Sequence, residues 1–201
     1  MKIYIGTSGW QYYHWYNKFY PQNLKSKDFL SFYSKHFKTV EVNTSFYHFT
    51  KESTFKNWLS QVPKNFLFSI KLHRLFTHFR RLKLNKDDKR ILKETITSYK
   101  ILGKNLGVIL IQLPPGLKKD IKLLKIFLKK LKNLVKDLKL AIEFRHQSWL
   151  NEEVYKILKE NKIAFVISDS PRWPTEIVKT TDFVYIRFHG KPKLFASKYS
   201  R

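Results

Sequence analysis

A chain of 201 residues, 43% hydrophobic and 16% aromatic, is long enough for one sizeable core, with a single domain as the default. Its 40 Lys and Arg against 15 Asp and Glu give a formal charge of +25, which attracts polyanions and makes any such association depend on salt. The absence of cysteine excludes disulfides, thiolate metal ligands and a cysteine nucleophile.

The start, MKIYIGTSGW, alternates like a strand over residues 2–5 and reaches Gly6 without the long apolar core or cleavage site of a signal peptide. No apolar run is long enough to span a membrane, so a soluble, cytoplasmic protein is expected. Residues 26–36 then read as a helix with Phe29, Phe32, Tyr33 and His36 on one stripe. A strand over 39–42, a short helix over 54–61 stopped by Pro63, and a strand over 67–72 follow. Next come a helix over 88–102 ended by Gly103, a strand over 108–113, and a helix over 120–133 with Ile121, Leu124, Leu128 and Leu131 on one face. The last elements are a strand over 138–144, a helix over 152–161, and strands over 164–168 and 183–188. Alternating βα units with near-continuous apolar strands predict an α/β protein whose parallel sheet is covered on both sides.

Parity along the strands chooses between a doubly wound sheet and a barrel. Successive side chains point to opposite faces, so Glu41 with Asn43, Ser69 with Lys71 and His73, Leu110 with Gln112, Glu143 with Arg145, Ile167 with Asp169, and Arg187 with His189 are each expected on one face. An open sheet concentrates polar groups at one switch point, whereas a (β/α)8 TIM barrel gathers one from nearly every strand end. The expectation is therefore the barrel. The centre of it is LAIEFRHQSW at 140–149, where an apolar strand runs into Glu143, Arg145, His146 and Trp149. A carboxylate and a guanidinium at the end of a buried run are costly unless paired or used.

The chain also resembles a known family. GTSGW at 6–10, FYP at 19–21, TVEVNTSFY at 39–47, FSIKLHR at 68–74, IQLPP at 111–115, AIEFRHQSW at 141–149, SDSPRWP at 168–174 and VYIRFHG at 184–190 are similar to the motifs of the YecE-like family, domain of unknown function 72. The resemblance spans essentially the whole chain and implies a TIM barrel over 1–201 as one domain, without implying a settled activity. The family's barrel is likened to sugar isomerases and to metal-cluster apurinic endonucleases, a likeness of fold and not of reaction. Members continue past the HG motif into a further helix and a closing strand, whereas this chain ends at FASKYSR. Seven strands are evident, so the resemblance implies a barrel lacking its carboxyl-terminal βα unit, with two sheet edges uncovered.

Three chemistries suit the expected pocket. Glu41, Glu143, Asp169, His73, His146 and His189 are ligand types for a divalent metal that activates water against a phosphoester, although Lys71, Arg145 and Arg187 on the same face oppose a metal cluster. In a metal-free reading, Lys71, Arg145 and Arg187 hold an anionic group of a small molecule or nucleic acid. Asn43, His73 and Gln112 line the site, and Glu143, Asp169, Glu41 and His189 are the acid–base candidates. Trp10, Trp149 and Trp173 follow strand ends, either rimming the mouth for a ring-bearing ligand or packing as lids. In the third reading the inner charges are a structural ionic layer, and the nine lysines of 118–139 bind nucleic acid non-specifically.

Overall fold

Short runs of Val, Ile, Leu and Phe form the strands, and the helices between them bury one apolar stripe each. The structure is a computed structural model that describes residues 2–174, 176–197 and 199. The chain divides into two compact units, Met1–His73 with Ile91–Val108, and Arg74–Arg90 with Ile109–Arg201.

In the first unit β1 (Thr39–Val42) and β2 (Leu67–Lys71) pair in parallel, Thr39 beside Leu67 and Val42 beside Ile70. The strand β3 (Leu106–Gln112) starts here, and a Cβ on Gly107 would stand 3.4 Å from Phe68 O, so its glycine admits close approach to β2. The helices are α1 (Phe29–His36), the short α2 (Thr44–Tyr47), α3 (Glu52–Ser60) and the later part of α4 (Lys86–Tyr99). Phe29, Tyr33, Phe55, Phe66, Phe68, Ile96 and Tyr99 form its buried core. Asn105 fastens the turn before β3 by donating to Phe66 O at 2.7 Å.

The expected strand over 2–5 does not form. Instead the segment reaches β1 through an isolated bridge at Ser8–Glu41 and the bond from Glu41 N to Thr7 O at 2.9 Å. Ile3 and Ile5 are 67% and 70% exposed, so no apolar layer rewards the ordering of a ladder there. Gly6 marks the close approach, because a Cβ there would stand 2.1 Å from Thr39 O.

The second unit holds the rest of β3 with β4 (Lys139–Glu143), β5 (Ile163–Asp169) and β6 (Tyr185–Phe188). Leu113 N donates to Glu143 O at 2.9 Å, which sets the end of β3 beside β4. β4–β5 and β5–β6 are parallel, with Leu140 beside Ile163 and Ser168 beside Arg187. Within each unit the strands neighbour one another in chain order. Helix α5 (Ile121–Val135) starts at an N-cap, Asp120 Oδ1 accepting from Leu123 N at 2.8 Å, and buries Leu124, Phe127, Leu128, Leu131 and Val135. Helix α6 (Glu152–Asn161) is capped by Asn151 and ends at Lys162 in the left-handed region. Its Tyr155 ring meets Phe165 at 5.4 Å, so α6 covers the Phe165 face of β5.

The α/β class is as expected, but the described residues form six strands and not seven, and no closed eight-stranded barrel. Among the described residues no helix is long and apolar enough to cross a membrane.

Candidate functional site

The parallel register of the second unit decides which polar groups share a face. Ile142 lies beside Phe165 and Ser168 beside Arg187. Counting by alternation, Glu143, Ser168 and Arg187 face one way, and Asp169 faces the other way with Phe188. This corrects the expected grouping of Asp169 with Glu143. Two adjacent polar residues, Ser168 and Asp169, end β5, and the pairing with β4 rather than the sequence pattern sets which one points to the buried face.

Glu143 is the centre of that face, with a fully buried side chain. Arg145 Nε donates to its Oε1 at 2.7 Å, and an Arg187 Nη donates to its Oε2. His189 Nε2 stands 3.6 Å from Oε1 and 3.4 Å from Arg187 Nη1. Burial alone would push the carboxyl up; Arg187, His189 and Arg145 overcome it and hold Glu143 well below the usual carboxylate range. The group is a permanent anion near neutral pH.

Trp173 completes the cluster. The Arg145 guanidinium lies 3.9 Å from the centre of the indole, and His189 meets the same ring edge-on at 4.9 Å. The indole N–H donates to Ser168 Oγ at 3.2 Å, which fixes the ring that in turn fixes Arg145. Arg187, His189 and Trp173 are nearly buried, while Arg145 keeps 16% of its side chain exposed.

Asp169 holds the border of this site. Its Oδ1 pairs with Lys191 Nζ at 2.8 Å. The Lys191 and Tyr199 hydrogen bonds hold its carboxyl below the usual range against a smaller effect of burial. Burial and the neighbouring Asp169 push the Tyr199 phenol up, and its hydroxyl accepts from Gly190 N at 2.7 Å. Ser168, Lys191 and Tyr199 were not among the sequence-derived candidates. Ser168 was visible in SDSPRWP, whereas Lys191 and Tyr199 lie in an irregular segment without a periodic signal.

Other candidates of this unit are structural in their contacts. Gln112 is buried, its Nε2 donating to Leu113 O at 3.1 Å and standing 3.3 Å from His78 Nε2. Trp149 is wholly buried, stacks on Phe144 at 4.8 Å and donates to Leu117 O at 2.7 Å. It packs and presents no face to a ligand. His146 takes a local role, its Nδ1 accepting from Ser148 N at 3.1 Å.

The first unit carries the remaining candidates. Glu41 is buried on β1 and accepts from Ser8 Oγ at 3.0 Å. The Lys71 ammonium sits 4.0 Å over the Phe46 ring, and its carbonyl accepts from Ser45 Oγ at 2.8 Å. His73 stacks on Phe49 at 3.9 Å. Asn43 Oδ1 is buried without a hydrogen-bond partner. Trp10 packs edge-on against Trp58 at 5.2 Å, and both line a pocket of about 320 Å³ with Gln11, Asp28, Asn57 and Gln61.

The residues do not fit a divalent metal. Among the described residues no group of three or more His, Asp or Glu is placed to hold an ion. Glu143, the most buried carboxylate, spends both oxygens on guanidinium groups.

Comparison with known proteins supports the architecture. Residues 4–201 match the family model described as a protein of unknown function, DUF72. The chain is 29% identical over 207 residues to the UPF0759 protein YunF of Bacillus subtilis (strain 168), across 95% of this chain and 71% of that protein. Among solved structures it is similar to a DUF72 family protein from Thermotoga maritima MSB8, with a TM-score of 0.80 and 32% identity over 98% of this chain and 78% of the other. A DUF72 family protein from Enterococcus faecalis V583 matches with a TM-score of 0.74 and 22% identity, over 93% and 73% respectively, and shows likeness of fold alone.

Proposed function

Since the chain belongs to the DUF72 family, whose description carries no activity, we propose from the site that it is an enzyme acting on a phosphorylated or carboxylated, ring-bearing small molecule. One observation carries this reading. Two guanidiniums and an imidazole converge on a single buried carboxylate at the ends of β4 and β6, with an indole laid on one guanidinium. A guanidinium presents its donors in a rigid planar fork, so the bond to Glu143 orients each arginine. Orientation of that kind is what recognition of a tetrahedral or planar oxyanion requires.

Roles follow from burial and charge. Glu143, locked as an anion, positions Arg145 and Arg187 and stands beside His189. Arg145 and Arg187 hold the anionic group. Asp169 lies on the other face, paired to Lys191, and proton transfer falls to His189. For a phosphomonoester, water adds to phosphorus, the P–O bond to the ring-bearing group breaks, and His189 gives its proton to the leaving oxygen. The scaffold is read as part of a (β/α)8 arrangement, supported by chain-order strand neighbours and by polar groups at carboxyl ends of strands.

The test uses phenyl phosphate, a ring-bearing phosphomonoester whose phenoxide leaving group, with a conjugate-acid pKa of about 10, needs a proton. The wild type is expected to release phenol and inorganic phosphate, and His189→Gln to lose about 10²-fold or more in kcat with little change in KM. No turnover by the wild type, or equal turnover by His189→Gln, overturns the assignment of phosphoester chemistry.

A further inference from the structure

The outer surface of α5 is a charged feature that the pocket does not use. Lys122, Lys125, Lys129, Lys132 and Lys136 are all exposed. At 100° per residue they fall within an arc of about 80°, and at 1.5 Å per residue they run along about 21 Å of helix. No Asp or Glu occurs from Ile121 to Lys136. Lys119, just before the helix, lies 3.9 Å from Glu153, but among the described residues the five lysines of the row have no carboxylate within ion-pair distance.

The composition of α6 shows that this row is not the chain's average lysine content spread evenly. There, Glu152, Glu153 and Glu160 alternate with Lys156 and Lys159, so opposite charges stand three and four residues apart. On α5 the same spacings set lysine beside lysine, which weakens a helix by a few tenths of a kcal/mol per pair. A polyanion laid along the row removes that repulsion.

We propose that the outer face of α5 is a docking track for the phosphate backbone of nucleic acid. A duplex carries one charge per about 1.7 Å of axis, so 21 Å of it offers about 12 phosphates to the five lysines. Two alternatives fit less well. An interfacial membrane helix must insert its apolar face, whereas Leu124, Phe127, Leu128, Leu131 and Val135 are spent on the core of the unit and Ile126 is the row's one large apolar neighbour on the exposed side. Protein interfaces favour Trp, Tyr and Arg and avoid Lys at their centres. Lysine contacts to phosphate position a duplex and read no bases, so the association is non-specific in sequence.

The experiment is fluorescence anisotropy with a labelled 20-base-pair DNA duplex of arbitrary sequence, from 50 to 200 mM salt, on the full chain. Two variants are compared with the wild type: Lys122→Gln/Lys125→Gln/Lys129→Gln/Lys132→Gln on α5, and Lys156→Gln/Lys159→Gln on α6. The wild type is expected to bind with a steep salt dependence. The α5 variant should flatten the slope of log K against log salt by about 3.6 and weaken binding at least about a hundredfold, while the α6 variant stays within about threefold. Retention of affinity by the α5 variant, or a loss per lysine in the α6 variant as large as in the α5 variant, overturns the proposal. So does tighter binding of the wild type to phosphatidylserine vesicles than to the duplex, or no duplex binding at 50 mM salt. Hydrolysis of phenyl phosphate should be unchanged in the α5 variant, which keeps this test separate from the pocket reading.

Discussion

Replacing Glu143 by Gln removes the charge at the centre of the site while keeping its volume. Arg145 and Arg187 then face a neutral amide, half of which is itself a donor. Breaking a buried pair by removing one partner costs about 3–5 kcal/mol, because the remaining charge is left uncompensated. Arg145 keeps 16% of its side chain exposed, so water relieves part of this and the lower end, about 3 kcal/mol, is the figure to expect. With a urea m-value of about 2 kcal/mol/M, the midpoint falls by about 1.5 M. Two further readouts separate a charge effect from poor packing. Inorganic phosphate should raise the midpoint of Glu143→Gln more than that of the wild type, since an anion can take the carboxylate's place. The acid limb should also change. The folded-state pKa of Glu143 is depressed, so its contribution is full above the unfolded value of about 4.3 and is lost as pH falls through the folded one. That part of the wild type's acid loss is absent in the variant, leaving the shares of Asp88 and Asp169, which are also depressed. An unchanged urea midpoint, or no differential rescue by phosphate, refutes the reasoning.

Gly6→Ala should push the amino-terminal segment off β1, because its Cβ would stand 2.1 Å from Thr39 O; a loss of about 1–3 kcal/mol in urea unfolding is expected, and a neutral result denies the close approach. Asn85 and Asp88 cap the start of α4 reciprocally, Asn85 Oδ1 accepting from Asp88 N at 2.8 Å and Asp88 Oδ2 from Asn85 N at 3.1 Å, with Arg80 Nε at 2.9 Å from Asp88 Oδ1. Asp88→Ala should therefore cost about 1–2 kcal/mol, read as a fall of about 3–6 °C in Tm, and more than an exposed carboxylate such as Glu94→Ala.

What the sequence shows of this molecule differs from place to place for physical reasons. Helix α6 has in the structure the bounds expected from the sequence, with Asn151 as its cap, while α5 was legible through its apolar stripe. Glu143, Arg145, Arg187, His189 and Trp173, each at or just past the end of a strand with a clear apolar pattern, could be read from the sequence as candidates, and the structure brings them into one cluster. The facing of β5 was not, since Ser168 and Asp169 are adjacent polar residues and only the register with β4 and β6 chooses between them. Residues 2–5 carry a strand's alternation, but alternation cannot supply the neighbouring layer that Ile3 and Ile5 lack. The stacking of Arg145 on Trp173 joins residues 28 positions apart, and no local pattern encodes it.

The central claim is that the arginines held by Glu143 form an anion site. Isothermal titration of inorganic phosphate into the wild type and into Arg145→Gln tests it most directly. The account predicts saturable one-site binding to the wild type, weakened at least about tenfold in Arg145→Gln, in proportion to one lost charge-assisted contact of about 1.5–3 kcal/mol. Absence of binding to the wild type, or equal affinity in the two proteins, would contradict it.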